Sequence, residues 1–279
     1  MTEKPQPGSV TQFLRNFVQW YFVLSPIGGP TIFTVCQCIN LHKLLVVPVY
    51  VYILHTHGGL SFEQTYSPAA ALLLVLHGIY GILWVYKDIF FPDPSWQTPM
   101  SPLGFLFVFS WPLASYYLPM QCLVSPSSLL CPLPAFASGN EPWQLALGAG
   151  LYTVGVIYMF GADVQKYVQL SLERPRALIT TGLFAHSRNP NYFGEVLIYS
   201  GYAVLSGNHT CLPAFALVWL ILFVPNIMAK EASMSRHKGW DAWVARTGLI
   251  VPWIPAVFAD FATQGLSKLP AVSGDKKKA

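Results

Sequence analysis

Long apolar runs separated by short polar stretches dominate this chain. A bilayer core takes roughly 20 apolar residues per helix. Pro68 to Tyr86, Leu103 to Leu123 and Trp143 to Ala162 meet that length. Two shorter runs follow, Phe193 to Leu205 and Leu212 to Met228. Ser206, Gly207, Asn208 and His209 between them read as the tip of a tight helical hairpin. The region from Phe17 to Leu54 is apolar but interrupted by Pro26, Pro30 and Pro48, and by Asn40, His42 and Lys43. It predicts one broken span or two, and the cost of Lys43 inside a single long span favours two. The pattern therefore predicts an all-α, polytopic transmembrane bundle of six or seven spans, with a short helical hairpin near the C-terminus. No internal repeat and no long linker divides the chain, so residues 1–279 read as a single integral-membrane domain. The Pro- and Ser-rich stretch from Pro119 to Pro142 reads as a loop. Residues 1–16 are polar, with Pro5, Pro7 and Gly8, and do not have the form of a signal peptide.

Composition sharpens this picture. Of 279 residues, 53% are hydrophobic and only 10% are charged, against about 25% charged in soluble domains. That excludes a disordered chain, a coiled coil and a nucleic-acid binder. Five cysteines without a close pairing pattern predict neither a disulfide framework nor a zinc site, and Cys36 and Cys38 read as buried thiols.

The positive charges set the sidedness. Lys166, Arg174, Arg176 and Arg188 fall within 163–192, and eight of the sixteen Lys and Arg lie after residue 229. The stretch 124–142 and the hairpin tip have none. Residues 163–192, Lys87 and the C-terminus are thus expected in the cytosol, with 256–279 as a cytosolic tail. Lys276 and Lys277 stand fourth and third from the end. They match a dilysine retrieval signal, which would place the protein in the endoplasmic reticulum; a charged, solvated tail is the plainer alternative.

Polar residues concentrate in 163–195 and 230–254, two segments flanking the hairpin on one side. Together they predict a basic, aromatic-rich surface at the membrane boundary. Its cations suit an anionic cofactor; the positive-inside rule and anionic lipid explain them as well. Glu195 is harder to explain by default. It stands beside Gly194 at the start of an apolar run, within a turn or so of Asn191 and Tyr192. An acid entering the bilayer is costly and faces a cavity or a partner, although an acid near a helix start also favours the positive dipole end, with Asn189 or Asn191 as cap. Gly194 would let a ligand approach the backbone. His55, His57 and His77 lack an accompanying acid pattern, so no metal site is expected. Glu63, Gln64 and Tyr66 fall on the side opposite the basic surface. Asn208-His209-Thr210 fits a glycosylation acceptor held too near the bilayer for modification.

Leu178 to Gly194 has the form L-I-x-x-G-L-F-x-x-x-R-x-P-N-Y-x-G, followed by the hairpin to Met228 and a stretch from Lys230 to Pro255. On these residues the last 40% or so of the chain resembles the C-terminal domain of steroid 5α-reductases. That superfamily includes sterol reductases and the membrane methyltransferases of isoprenylcysteine and phospholipid. The acid after N-Y-F-G, here Glu195, and the pair Gln165-Lys166 resemble the reductase side. Methyltransferases of isoprenylcysteine resemble one another in an acidic pair after the hairpin, where this chain has Lys230-Glu231. Two positions depart from the pattern: many relatives have His where Asn189 stands and Tyr where Trp243 stands.

The resemblance implies a membrane-embedded, NADPH-dependent reductase of an activated C=C bond in a hydrophobic lipid or sterol-like substrate, surrounded by membrane lipid. Segment 163–255 would bind cofactor and carry catalysis. Tyr192 and Glu195 are the expected catalytic pair. Gln165, Lys166, Arg174, Arg188, Asn191, His237 and Arg246 are the expected cofactor contacts. The runner-up is an S-adenosylmethionine-dependent methyltransferase on the same scaffold, and a third reading is a lipid-binding membrane protein without turnover.

Overall fold

The computed structural model describes residues 33–58, 67–97, 99–110, 112–172, 177–255 and 257. They form a bundle of helices. Among the described residues, five stretches are long and apolar enough to cross a membrane: Val35–Thr56, Pro68–Phe90, Pro102–Val124, Pro142–Leu172 and Cys211–Met234. Their outward positions carry exposed Val51, Val75, Ile82, Leu106, Ile157 and Leu220, as lipid-facing surfaces do.

Helix α1 (Val35–Gly58) opens after a two-residue antiparallel pairing of β1 (Phe33–Thr34) with β2 (Pro99–Met100). Thr34 and Gln37 cap it reciprocally, at 2.6 and 3.2 Å. The helix runs unbroken through Asn40, His42, Lys43 and Pro48. The expected break at Lys43 is therefore corrected. Lys43 turns its side chain inward onto aromatic rings of other elements, so it is accommodated within one continuous helix. The residues that would form a preceding span, 17–32, lie outside the described residues.

Helix α2 (Pro68–Phe90) starts at Ser67, whose hydroxyl accepts from Ala70 N at 3.2 Å. The third apolar stretch is not one regular helix. Helix α3 (Pro102–Ser110) is followed by a tighter turn at Ala114–Tyr117 and then by α4 (Leu118–Val124). Cys122 and Cys131 form a disulfide just beyond it, which corrects the expectation that no cysteines pair; eight intervening residues without a motif hid it from the sequence.

Helix α5 (Pro142–Leu172) has 31 residues, about 46 Å at 1.5 Å per residue. It outruns a bilayer core of about 30 Å, so Asp163, Gln165 and Lys166 stand at or beyond the boundary. Helix α6 (Pro190–Ser206) packs on α5 through a ladder of glycines. A Cβ on Gly155 would stand 2.7 Å from Gly194 O, and one on Gly201 2.7 Å from Gly148 O. Small residues at this spacing let two membrane helices meet backbone to backbone. Gly194 is thus occupied by Gly155 and Met159, and the expectation that it admits a ligand is corrected.

Gly207, at φ 63°, ends α6 in the left-handed conformation. Helix α7 (Cys211–Val218) continues through a wider π turn at Trp219–Phe223 into α8 (Val224–Met234). Pro225 contributes no amide donor there. Helix α9 (Trp240–Val244) is short, and its Trp243 donates to Phe184 O at 2.9 Å.

The bundle has two chemically distinct ends. At one, Gln144 accepts from Gly139 N and donates to Val204 O and Leu205 O, tying 124–142 to the α6–α7 turn. Asn208 is fully buried there, and its Oδ1 accepts from Thr210 N at 2.9 Å. At the other end, Asn40 donates to Asp88 at 2.8 Å, and the ions of α2, α5 and α8 gather.

Candidate functional site

The polar interior is built from three helices, α1, α2 and α6, and the turn at Ala114–Tyr117. Gly81 lets α1 pass close to α2; a Cβ there would stand 2.8 Å from Lys43 O. That crossing lays Lys43 over Tyr80, whose ring centroid is 4.1 Å from Nζ. Tyr116, brought inward by the bend between α3 and α4, lies 4.0 Å away. Glu195 on α6 faces this pair and is only 6% exposed. The Tyr80 hydroxyl donates to Glu195 Oε2. It also lies 3.1 Å from the Tyr199 hydroxyl, which is in turn hydrogen-bonded to Tyr116. A carboxyl group, three phenols and an ammonium thus form one buried cluster.

Capping does not account for Glu195. Asn189 occupies the cap position, but its amide donates to Leu249 O at 3.1 Å and makes no side-chain cap bond. Glu195 is the sixth residue of the helix and points into the bundle, past the turn where the dipole acts.

Below the cluster, Tyr50 bonds His77 Nδ1 at 2.8 Å and donates to Tyr116 O at 2.9 Å. His77 stacks on Tyr202 with centroids 4.5 Å apart. Several buried atoms have no hydrogen-bond partner among the described residues: Lys43 Nζ, His77 Nε2, Trp84 Nε1, and the hydroxyls of Tyr152 and Tyr202. Buried polar groups are normally satisfied, so this concentration in one region marks an interior suited to polar occupants.

The expected site residues divide by location. Tyr192 is buried one turn before Glu195, but its ring contacts are Phe223 and the Lys230 ammonium, 4.5 Å from the centroid. The hydroxyl on Glu195 comes from Tyr80 instead. Asn191 is half-buried at the start of the same helix. Gln165 is used by the fold: it donates to Thr181 O at 2.8 Å and accepts from Leu183 N at 3.1 Å. Lys166 pairs with Asp93 at 2.7 Å. Arg188 pairs with Glu231 at 2.8 Å and donates to Thr247 O at 2.9 Å. His237 and Arg246 are exposed. Arg174 lies outside the described residues, as do Arg176, Glu63, Gln64, Tyr66 and the dilysine tail.

Sequence reasoning missed Lys43, His77, Tyr80, Tyr116 and Tyr199 as site residues. A signal for them was present. On α2, His77, Tyr80, Trp84 and Lys87 recur at intervals of three, four and three. On α6, Tyr192, Glu195, Tyr199 and Tyr202 do the same. That spacing draws one polar stripe down each helix.

Fold and interior together define a helical integral-membrane protein with a polar cluster buried among its spans. Residues 118–247 match the family described as Protein of unknown function (DUF1295). The match takes in Glu195, Tyr199 and Lys230 and leaves Lys43, Tyr80 and Tyr116 outside it. None of the curated proteins matches the chain.

Proposed function

We propose that the protein is a membrane-embedded, NADPH-dependent reductase of an activated C=C bond in a lipid or sterol-like substrate. The observation that carries this reading is the Glu195–Tyr80 pair. A phenol donating to a buried carboxyl group is a positioned proton source in a water-poor interior. Tyr80 would protonate the substrate, and Glu195 would hold and orient its hydroxyl. NADPH, when bound, supplies hydride.

The residues at the ionic end suit such a cofactor. Lys230 has no ion-pair partner among the described residues and lies against the Tyr192 ring. Trp84 Nε1 and Asn40 Oδ1 are buried there without hydrogen-bond partners among the described residues. Lys230 and Lys166 would hold phosphates, and Trp84 and Asn40 would meet polar edges of the nucleotide. One observation favours the methyltransferase reading instead. Lys166 and Arg188 each already face an acid, and a sulfonium cofactor needs no surplus of cations. We place the ionic end in the cytosol. The absence of Lys and Arg from 124–142 supports this, and so does the disulfide at that opposite end, which an oxidising compartment would maintain.

Titration of the purified protein with NADPH, NADH and S-adenosylmethionine tests the cofactor. NADPH is expected to bind saturably, and Lys166→Ala to weaken it by about 1.5–3 kcal/mol, the worth of a charge-assisted contact, with less effect on NADH. Saturable S-adenosylmethionine binding without a response to NADPH would replace this reading by the methyltransferase.

A further inference from the structure

We infer that residues 248–254 are a membrane strap: their outward apolar side chains enter the headgroup layer of an anionic leaflet, and Arg236, Lys238 and Arg246 meet its phosphates. The inference concerns how the ionic end is anchored and does not depend on the reductase reading.

The strap is held by the fold. Gly248 N and Trp253 N both donate to His186 O, at 3.0 and 2.9 Å. In return, Gly248 O accepts from Arg188 N at 2.9 Å, Leu249 O from the Asn189 amide at 3.1 Å and Ile250 O from the Ser187 hydroxyl at 2.6 Å. Trp253 O accepts from Val257 N at 3.2 Å, and Pro252 has no amide hydrogen. Much of this backbone is thus satisfied within the protein, as entry into an apolar phase requires. Side-chain exposure alternates along it. Leu249, Val251 and Trp253 are 39%, 59% and 53% exposed, while Ile250 is half-buried and Pro252 buried. Ile254 extends the outer face. A rigid loop that turns its apolar side chains outward is suited to lipid and costly in water.

The level of the strap follows from its partners. His186 to Asn189 lead directly into α6, whose 17 residues span about 26 Å. A hydrocarbon core is about 30 Å thick. Gly207 at the far end of α6 accepts from Phe136 N in the opposite loop. With Gly207 at that boundary, the start of α6 reaches no further than the near edge of the core. The strap bonded to it therefore lies at headgroup level, where tryptophan is favoured.

Charge selects the leaflet. Between Ser235 and Ile254 the chain carries Arg236, Lys238, Arg246 and one acid, Asp241. All four are exposed, and none forms an ion pair among the described residues. Cations beside apolar side chains at a membrane boundary suit anionic lipid. Neutral lipid would cover the apolar side chains and leave the three cations unused.

The test uses the full chain in nanodiscs containing phosphatidylserine or phosphatidylcholine brominated on the acyl chains, at equal mole fraction. Acrylamide is the aqueous quencher. The chain has nine tryptophans, so the signal of Trp253 is taken as the difference from Trp253→Phe. Trp253 is expected to be quenched by the brominated chains and shielded from acrylamide. Brominated phosphatidylserine should be enriched around it about fivefold over phosphatidylcholine, the worth of one cation close to an anionic surface. Combining Arg236→Gln, Lys238→Gln and Arg246→Gln should abolish that preference and keep the quenching. Val251→Trp should add a signal quenched in the same way, which tests the strap independently of Trp253→Phe. Quenching of either tryptophan by acrylamide alone overturns the inference. Protection from both quenchers would place another part of the chain, or a second copy, on the strap and overturns it too. Equal quenching by the two lipids overturns the choice of an anionic leaflet, and a preference that survives the triple variant overturns the role given to the three cations.

Discussion

If the protein is the proposed reductase, Glu195→Gln is expected to lower reduction of an enone probe such as cholestenone by about 10²-fold or more, the usual worth of a positioned acid–base group. The substitution preserves shape, and the new amide oxygen still accepts from Tyr80, so the contacts that seat α6 against α2 survive. What disappears is the ionisable group behind the phenol. The helix keeps its start at Asn189 and Pro190, because Glu195 takes no part in capping. Binding of NADPH is therefore expected to change much less than turnover. Wild-type turnover by a folded Glu195→Gln protein would reduce the carboxyl group to a packing element and remove the observation on which the reductase reading rests.

Lys87→Met destabilises the bundle by about 3 kcal/mol, the low end for breaking a buried ion pair. Lys87 and Asp163 lie 2.7 Å apart with side chains 9% and 17% exposed, and the same ammonium sits 3.6 Å from the centre of the Trp84 ring. Removing the cation leaves the carboxylate of Asp163 partly desolvated with no counter-ion. The cost comes from that stranded charge and not from the loss of attraction. Lys87→Met combined with Asp163→Leu should accordingly recover most of the stability, since well-packed apolar residues often replace a buried pair without loss. Unfolding of the single and double variants in detergent measures this. A double variant weaker than Lys87→Met would mean that the pair itself, and not its imbalance, supports the fold.

The helical character, the apolar runs and the turn at Ser206–His209 were legible because length and hydropathy alone decide them. The interior of the site was not. Lys43 read as an obstacle to a span, since the sequence does not reveal that two tyrosines from other helices receive its side chain. Tyr80 and Tyr116 lie 115 and 79 positions from Glu195 in the chain, and no local motif links them. N-P-N-Y-F-G-E points to Glu195 and sets Tyr192 beside it, whereas the hydroxyl that donates to Glu195 in the bundle is that of the distant Tyr80. Gly194 shows the same limit. A small residue beside an acid serves equally for a ligand or for a neighbouring helix, and only packing against Gly155 distinguishes them. The basic surface was visible as a set of charges. Its acids, Asp93, Asp163 and Glu231, were visible too, but their pairing with Lys166, Lys87 and Arg188 depends on tertiary contact.

The most direct test of the account follows a hydride. The purified protein in nanodiscs is given cholestenone and NADPH deuterated at the reactive position of the nicotinamide ring, and the lipid is analysed by mass spectrometry. The account predicts cholestanone carrying one deuterium, formed only with NADPH present and lost in Glu195→Gln. Unchanged cholestenone, together with saturable binding of S-adenosylmethionine, would contradict it.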